Sequence, residues 1–193
     1  MSVIVLKKQQ LGVGLIEVLI AMLIFALGVL GMASMQVNAK RVGYDAMQRS
    51  IATSLTRDIV ERMRSNPSVD ALNVFGAVNN LGGGTVASEP NPDCSTAICS
   101  PTQLAAHDIW EWEQALDGAA ESLNGVNAGG LVSPKACISY AGGLVTVAIA
   151  WKGSNEQVNP TNSTCGEGLG LYGTGEAERQ VIVVSTFIQQ VGT

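Results

Sequence analysis

Few side chains in this 193-residue sequence have the type and spacing that chemistry requires. His107 is the only histidine, so a Ser-His-Asp relay would have to run through it. It falls inside a predicted helix with no nucleophile motif beside it, which gives it a structural or surface role. Glu111 and Glu113 stand two apart on the same predicted helix, about 200° around its axis, and cannot act as a paired acid and base. The run Gly168-Leu169-Gly170-Leu171-Tyr172-Gly173 matches a G-x-G-x-x-G pattern, but it follows no predicted strand and opens no helix, and it reads as a loop. Asn162-Ser163-Thr164 fits a glycosylation acceptor, a match common by chance in such loops. Cys94, Cys99, Cys137 and Cys165 contain no Cys-x-x-Cys pair, which argues against a four-thiolate zinc site. In an oxidising compartment, sequence proximity favours disulfides Cys94–Cys99 and Cys137–Cys165, one of three possible connectivities. No catalytic residue, metal site or cofactor is expected.

The charged residue that stands out is Glu17. Between Lys8 and Lys40 it is the only charge, and Val18 to Ala39 are 22 uncharged residues. As a helix they would extend about 33 Å, enough to cross a bilayer core. A cleaved secretory signal fits less well, because its apolar region is about 7–15 residues long and ends in an Ala-x-Ala site that is missing here. Lys7 and Lys8 before the segment balance Lys40 and Arg41 after it, so the positive-inside rule does not set the orientation. Residues 66–193 hold three basic and twelve acidic residues, a net of −9, and all four cysteines. That block reads as exported. It also excludes nucleic acid as a partner, in keeping with a whole-chain charge of −5.

An ionised carboxylate in hydrocarbon costs about 2.5–3.5 kcal/mol unless a cation or donor meets it. The residues around Glu17 are Lys7-Lys8-Gln9-Gln10-Leu11-Gly12, then Val13-Gly14-Leu15-Ile16-Glu17-Val18-Leu19-Ile20-Ala21. They resemble the class III signal of type IV prepilins. The resemblance implies that prepilin peptidase removes residues 1–12 on the cytoplasmic face by cutting between Gly12 and Val13. Val13 would then be N-methylated, and Glu17 would be fifth in a mature chain of 181 residues, the 193 less the 12 removed. Val13 stands where the family usually has Phe or Met, and Gly14 where it usually has Thr. The physical reading agrees, since cleavage creates an amine at Val13 that can neutralise Glu17 in the same chain or dock it on a neighbouring subunit. The competing reading is a Glu snorkelling at the end of an ordinary signal anchor.

The elements follow from periodicity. Beyond Ala39 the sequence stays compatible with helix up to the stop at Asn66-Pro67. Tyr44, Met47, Ile51, Leu55, Ile59 and Met63 form one apolar stripe, with Gln48, Arg49, Thr53, Arg57, Glu61 and Arg64 among the residues opposite. A helix from Val13 to about Ser65 would be roughly 80 Å long. Its residues 40–64 carry six basic and three acidic side chains, read as a solvated face. Residues 68 to about 101 read as surface loops with one short strand at most. Ser100 and Pro101 then cap and open a helix that places Leu104, Ala105, Ile109, Trp112 and Leu116 on one face and Asp108 and Glu111 near the other. Trp110 and Trp112 cannot both be central to one core face. A hairpin follows from Ala136–Tyr140, a Gly142-Gly143 turn and Leu144–Trp151, in which Val145, Val147, Ile149 and Trp151 alternate. The strand Gln180–Ile188, apolar on both faces in its first half, suits a central position. The expected organisation is a leader at 1–12, a membrane and filament-core helix at 13–39, the amphipathic half of that helix at 40–65, and an exported head at 66–193. The fold class is α+β, a pilin-like lollipop with the long helix packed on a C-terminal antiparallel sheet.

The resemblance is closest to minor pilins of the PilV type, through Leu15–Ala21 with Gly28 and Gly31, the Asp108-x-Trp110 region and the late Val-rich strands. It implies a non-enzymatic subunit that primes assembly of a type IV pilus and joins the tip complex supporting an adhesin. The implied partners are prepilin peptidase, other minor pilins, the major pilin and a tip adhesin. Before assembly the chain would sit in the inner membrane with its N-terminus cytoplasmic and its head periplasmic. Two rivals stay open: a minor pseudopilin of type II secretion, and a signal-anchored periplasmic binding or enzymatic domain.

Overall fold

A computed structural model describes residues 14–86, 88–119, 121–127 and 129–190. Gly12 and Val13 lie outside this set. The helix α1 runs Leu15–Ser65, and the chain divides into two compact units, 1–41 and 42–193. In the first unit the described residues are helical from Leu15 onward, and every one of them is exposed. Leu15, Phe25 and Met35 are 85%, 72% and 76% accessible. Among the described residues α1 is the one helix long and apolar enough to cross a membrane.

In the second unit α1 ends where Asn66-Pro67 stops it, and the buried Asn66 amide donates to the Pro101 carbonyl at 2.7 Å. The apolar stripe is rotated from its expected place. Tyr44 and Met47 are exposed, Ile51 and Leu55 are half-buried, and the buried seam is Gln48, Ala52, Thr56, Ile59, Val60 and Met63. Gln48 can occupy the seam because its amide donates to the Gly130 carbonyl at 3.2 Å and accepts from the Val132 amide at 3.1 Å. Thr56 can do so because its hydroxyl donates to the Ala52 carbonyl at 2.8 Å. Both polar groups are satisfied, so burial is not penalised.

The stretch after Pro67 contains a helix where only loops and a short strand were expected. α2, Val69–Gly76, starts at Ser68, whose hydroxyl accepts from the Ala71 amide, and it buries Ala71, Leu72 and Phe75 completely. The cap and the i, i+4 apolar pair Ala71 and Phe75 were sufficient signals, masked by the Gly- and Asn-rich sequence that follows. α3, Pro101–Leu116, opens as expected, with a complete capping box between Ser100 and Gln103.

Short strands β1, Ser122–Leu123, and β2, Val126–Asn127, pair with each other. The main sheet is antiparallel, in the order β3 (Lys135–Ala141), β4 (Leu144–Lys152), β5 (Arg179–Phe187). The hairpin turns at Gly142-Gly143 with Ala141 opposite Leu144, and Val145, Val147, Ile149 and Trp151 are buried. β5 is an edge strand rather than a central one: among the described residues it pairs with β4 alone, from Lys152↔Arg179 to Leu144↔Phe187, and it is half-buried over most of its length. Its apolar run reflects partial cover on two faces, which a sequence does not distinguish from full burial. The outer edge of β3 is closed by the segment after α2, through the Leu81↔Ala136 bridge and the Ile138 amide donating to the Val78 carbonyl. One core joins Ile59 and Met63 of α1, Leu72 and Phe75 of α2, Trp112 and Leu116 of α3, and Val145, Val147 and Ile149 of the sheet. The architecture is α+β, a long N-terminal helix with a C-terminal antiparallel sheet.

Candidate functional site

Among the described residues the N-terminal segment carries one carboxylate. Glu17 sits in the first turn of α1, exposed, its amide donating to the Gly14 carbonyl at 2.9 Å. A carboxylate here faces the positive end of the helix dipole, worth about 0.3–1 kcal/mol and less than the cost of burying it in hydrocarbon. The apolar residues that follow it are uncovered, and a Cβ at Gly28 or Gly31 would meet nothing within 4 Å. This segment therefore has the surface of a chain that completes its packing with lipid or with other subunits.

In the second unit the polar groups are turned inward to hold the fold. Arg62 belongs to a partly exposed ion-pair cluster that ties α1 to α3. It donates to Asp58 at 3.1 Å, Asp108 at 2.9 Å and Glu111 at 2.6 Å. Burial works against its charge, but the bonds to Glu111 and Asp108 prevail and hold its pKa above the ordinary value. Asp108 was expected away from the packed face of α3; it is 8% exposed, because Arg62 supplies its counter-charge. Burial raises its pKa, with Arg62 opposing. Leu104, expected on the core face, is 37% exposed at the edge of it. Trp112 is fully buried, its indole donating to the Leu55 carbonyl at 2.9 Å, while Trp110 is half-buried.

Three polar anchors escaped the sequence reading. Glu113 is completely buried and accepts the amides of Gly82 at 3.1 Å, Val86 at 2.6 Å and Thr85. Asp117, one turn on, accepts those of Gly83 and Gly84 at 2.7 and 2.9 Å. Together they fold the triple-glycine loop over α3, and Gly82, at φ 124° with Pro134 O only 2.5 Å from where a Cβ would lie, admits no other residue there. Arg179, also completely buried, donates to Asn159 Oδ1 at 2.9 Å and to the carbonyls of Cys165, Pro160 and Ser163 at 2.6–2.9 Å. A Glu or Arg in an apolar neighbourhood was the available signal, but the loops that satisfy these groups are 14 to 31 residues away in sequence.

Cys94 is bonded to Cys99, closing the loop before α3, and Cys137 of β3 is bonded to Cys165. His107 is buried and no nucleophile stands beside it among the contacts of the described residues; its Nε2 faces Glu89 at 3.2 Å. Residues 168–173 form bends and turns with no phosphate-binding helix after them. Glu111 pairs with Arg62 while Glu113 holds a loop, so the two do not converge.

Two family models match the chain. One, described as type IV pilin Tt1218, covers residues 34–110, from within α1 through most of α3. The other, the prokaryotic N-terminal methylation motif, covers residues 7–33. No curated protein and no solved structure matches it.

Proposed function

We propose that the chain, which matches a type IV pilin model over residues 34–110 and the N-terminal methylation motif over residues 7–33, is a minor pilin that primes pilus assembly and joins the tip complex supporting an adhesin. The prepilin signal implies processing by prepilin peptidase and membrane anchoring through the apolar helix. In the proposed sequence of events the peptidase cuts between Gly12 and Val13, Val13 is N-methylated, and the chain waits in the inner membrane with its head, net −9, in the periplasm. Glu17 then meets the terminal amine of a neighbouring subunit as the apolar helix moves from lipid into the filament core. Type IV pilins are structural proteins, and the chain acts without catalysis, through contacts with the major pilin and other minor pilins.

The observation that carries this reading is the uncovered apolar helix headed by Glu17 within the methylation motif. Membrane and filament core are the two environments that would cover it, and the carboxylate requires a cation in either. The test is quantitative mass spectrometry of sheared surface pili together with a deletion strain. We expect the processed chain in the sheared fraction at low abundance, and fewer pili without it. Its absence from sheared pili, combined with failed protein secretion in the deletion strain, would favour a pseudopilin instead.

A further inference from the structure

Beyond filament assembly, one cluster in the head has the chemistry of a metal site. Glu89 and Asp93 lie on the loop between α2 and α3, and their carboxylates converge on His107 of α3. The imidazole side chain is 6% exposed, and its Nε2 points at Glu89 Oε1, 3.2 Å away, and at Asp93 Oδ1, 3.6 Å away. All three donor atoms lie within 4.8 Å of one another. A tetrahedral ion with ligands about 2.0–2.1 Å away spaces them about 3.3 Å apart, which matches the two distances to the histidine. Both carboxylates are partly exposed, leaving a path for the ion and room for a water as fourth ligand.

The surroundings favour a cation. Asp58, Asp108 and Glu111 share the single guanidinium of Arg62, and Glu111 Oε1 lies 4.0 Å from His107 Nδ1 on the other side of the ring. With Glu89 and Asp93, five carboxylates therefore stand against one permanent positive charge. At 4.0 Å Glu111 is beyond hydrogen-bond distance of that nitrogen, and it adds negative charge beside the ring rather than orienting it. Asp93 is already set in place, its Oδ1 accepting from the Ser95 amide and hydroxyl at 2.8 and 2.6 Å, and the hydroxyl can turn aside for an ion. The Cys94–Cys99 bond limits how far the loop can spread.

We propose that Glu89, Asp93 and His107 bind one divalent transition-metal ion, zinc by donor chemistry, which ties the disulfide-closed loop to α3. One imidazole with two carboxylates and an open position suits zinc, whereas calcium and magnesium take six or more oxygen ligands. No free cysteine is present to compete for it.

The test uses the untagged full-length chain in detergent, disulfides intact and stripped with chelator, titrated with Zn²⁺ by calorimetry and with Co²⁺ by visible absorption. We expect one saturable site per chain, an intense tetrahedral Co²⁺ band displaced by Zn²⁺, and a melting temperature that rises when Zn²⁺ is added. Glu89→Gln and Asp93→Asn should each weaken binding at least tenfold, while Glu156→Gln, at an exposed position elsewhere, leaves it unchanged. Glu89 is 40% exposed, so Glu89→Gln retains the fold and decides the question even if a variant of buried His107 does not. No saturable binding, or binding of equal strength in Glu89→Gln, overturns the proposal.

Discussion

The two parts of α1 obey the same helical geometry and opposite rules of cover. From Leu15 to Arg41 all the described side chains are exposed, however apolar; from Gln48 to Met63 a seam of six residues is buried by the chain's own α3 and sheet. The second part even places Gln48 and Thr56 in its seam, since its own backbone and that of residues 130–132 meet their polar groups. In the first part the Glu17 carboxylate has no hydrogen-bond or ion-pair partner among the described residues. Self-sufficient packing can absorb irregular residues, whereas packing that depends on another molecule has to present a simple, repetitive surface.

The strongest way to break this contrast is at Glu17. Glu17→Ala should leave processing intact but lower incorporation into sheared pili at least tenfold, measured as the ratio of pilus-borne to membrane-borne chain. Unchanged incorporation would mean that the first part needs no specific partner. Next in size, Trp112→Ala should destabilise the head by about 3–5 kcal/mol in thermal or denaturant unfolding, through a cavity beside α1 and loss of the bond to Leu55. Glu113→Ala should cost about 2–3 kcal/mol in the same assay, because three amides, that of Gly82 fully buried, lose their acceptor.

A smaller effect is expected from acid. The hydroxyl and amide of Ser95, with Thr96, hold the Asp93 carboxyl down at about 2, below its ordinary value of 3.8. A lowered folded-state pKa stabilises above the unfolded value and ceases to do so as pH falls through the folded one. Metal-free protein should therefore keep the turn at 93–97 ordered down to about pH 4 and lose it progressively toward pH 2, seen as faster exchange of the Ser95 and Ala97 amides. Smallest of all, Gly28→Ala or Gly31→Ala should be neutral or stabilising by less than about 1 kcal/mol for the isolated helix, since a Cβ there touches nothing. Any larger loss in pilus incorporation would locate a close approach by a neighbour.

What the sequence revealed follows the same division. The apolar segment, the capped start of α3 at Ser100-Pro101 and the β3–β4 hairpin are written in consecutive residues, and they were legible. The rotation of the α1 seam was hidden because Gln48 looks like a surface residue until residues 130–132 are brought to it. The edge position of β5 was hidden because pairing is a property of two strands, not one. The His107 cluster was invisible for the same reason: its carboxylates come from a loop 14 and 18 residues earlier, in a spacing with no helical or strand period.

Arg179 has a consequence for how this head can vary. Three of the four groups that accept its hydrogen bonds are main-chain carbonyls, of Pro160, Ser163 and Cys165; its side-chain partners are Asn159, hydrogen bonded, and Glu167, an ion pair at 3.9 Å. Every amino acid has a carbonyl, so the path of residues 160–165 is held by atoms that substitution does not remove. The surface residues of that loop can change their identity, and so what the head presents to its surroundings, while one buried guanidinium keeps the backbone beneath them in the same course.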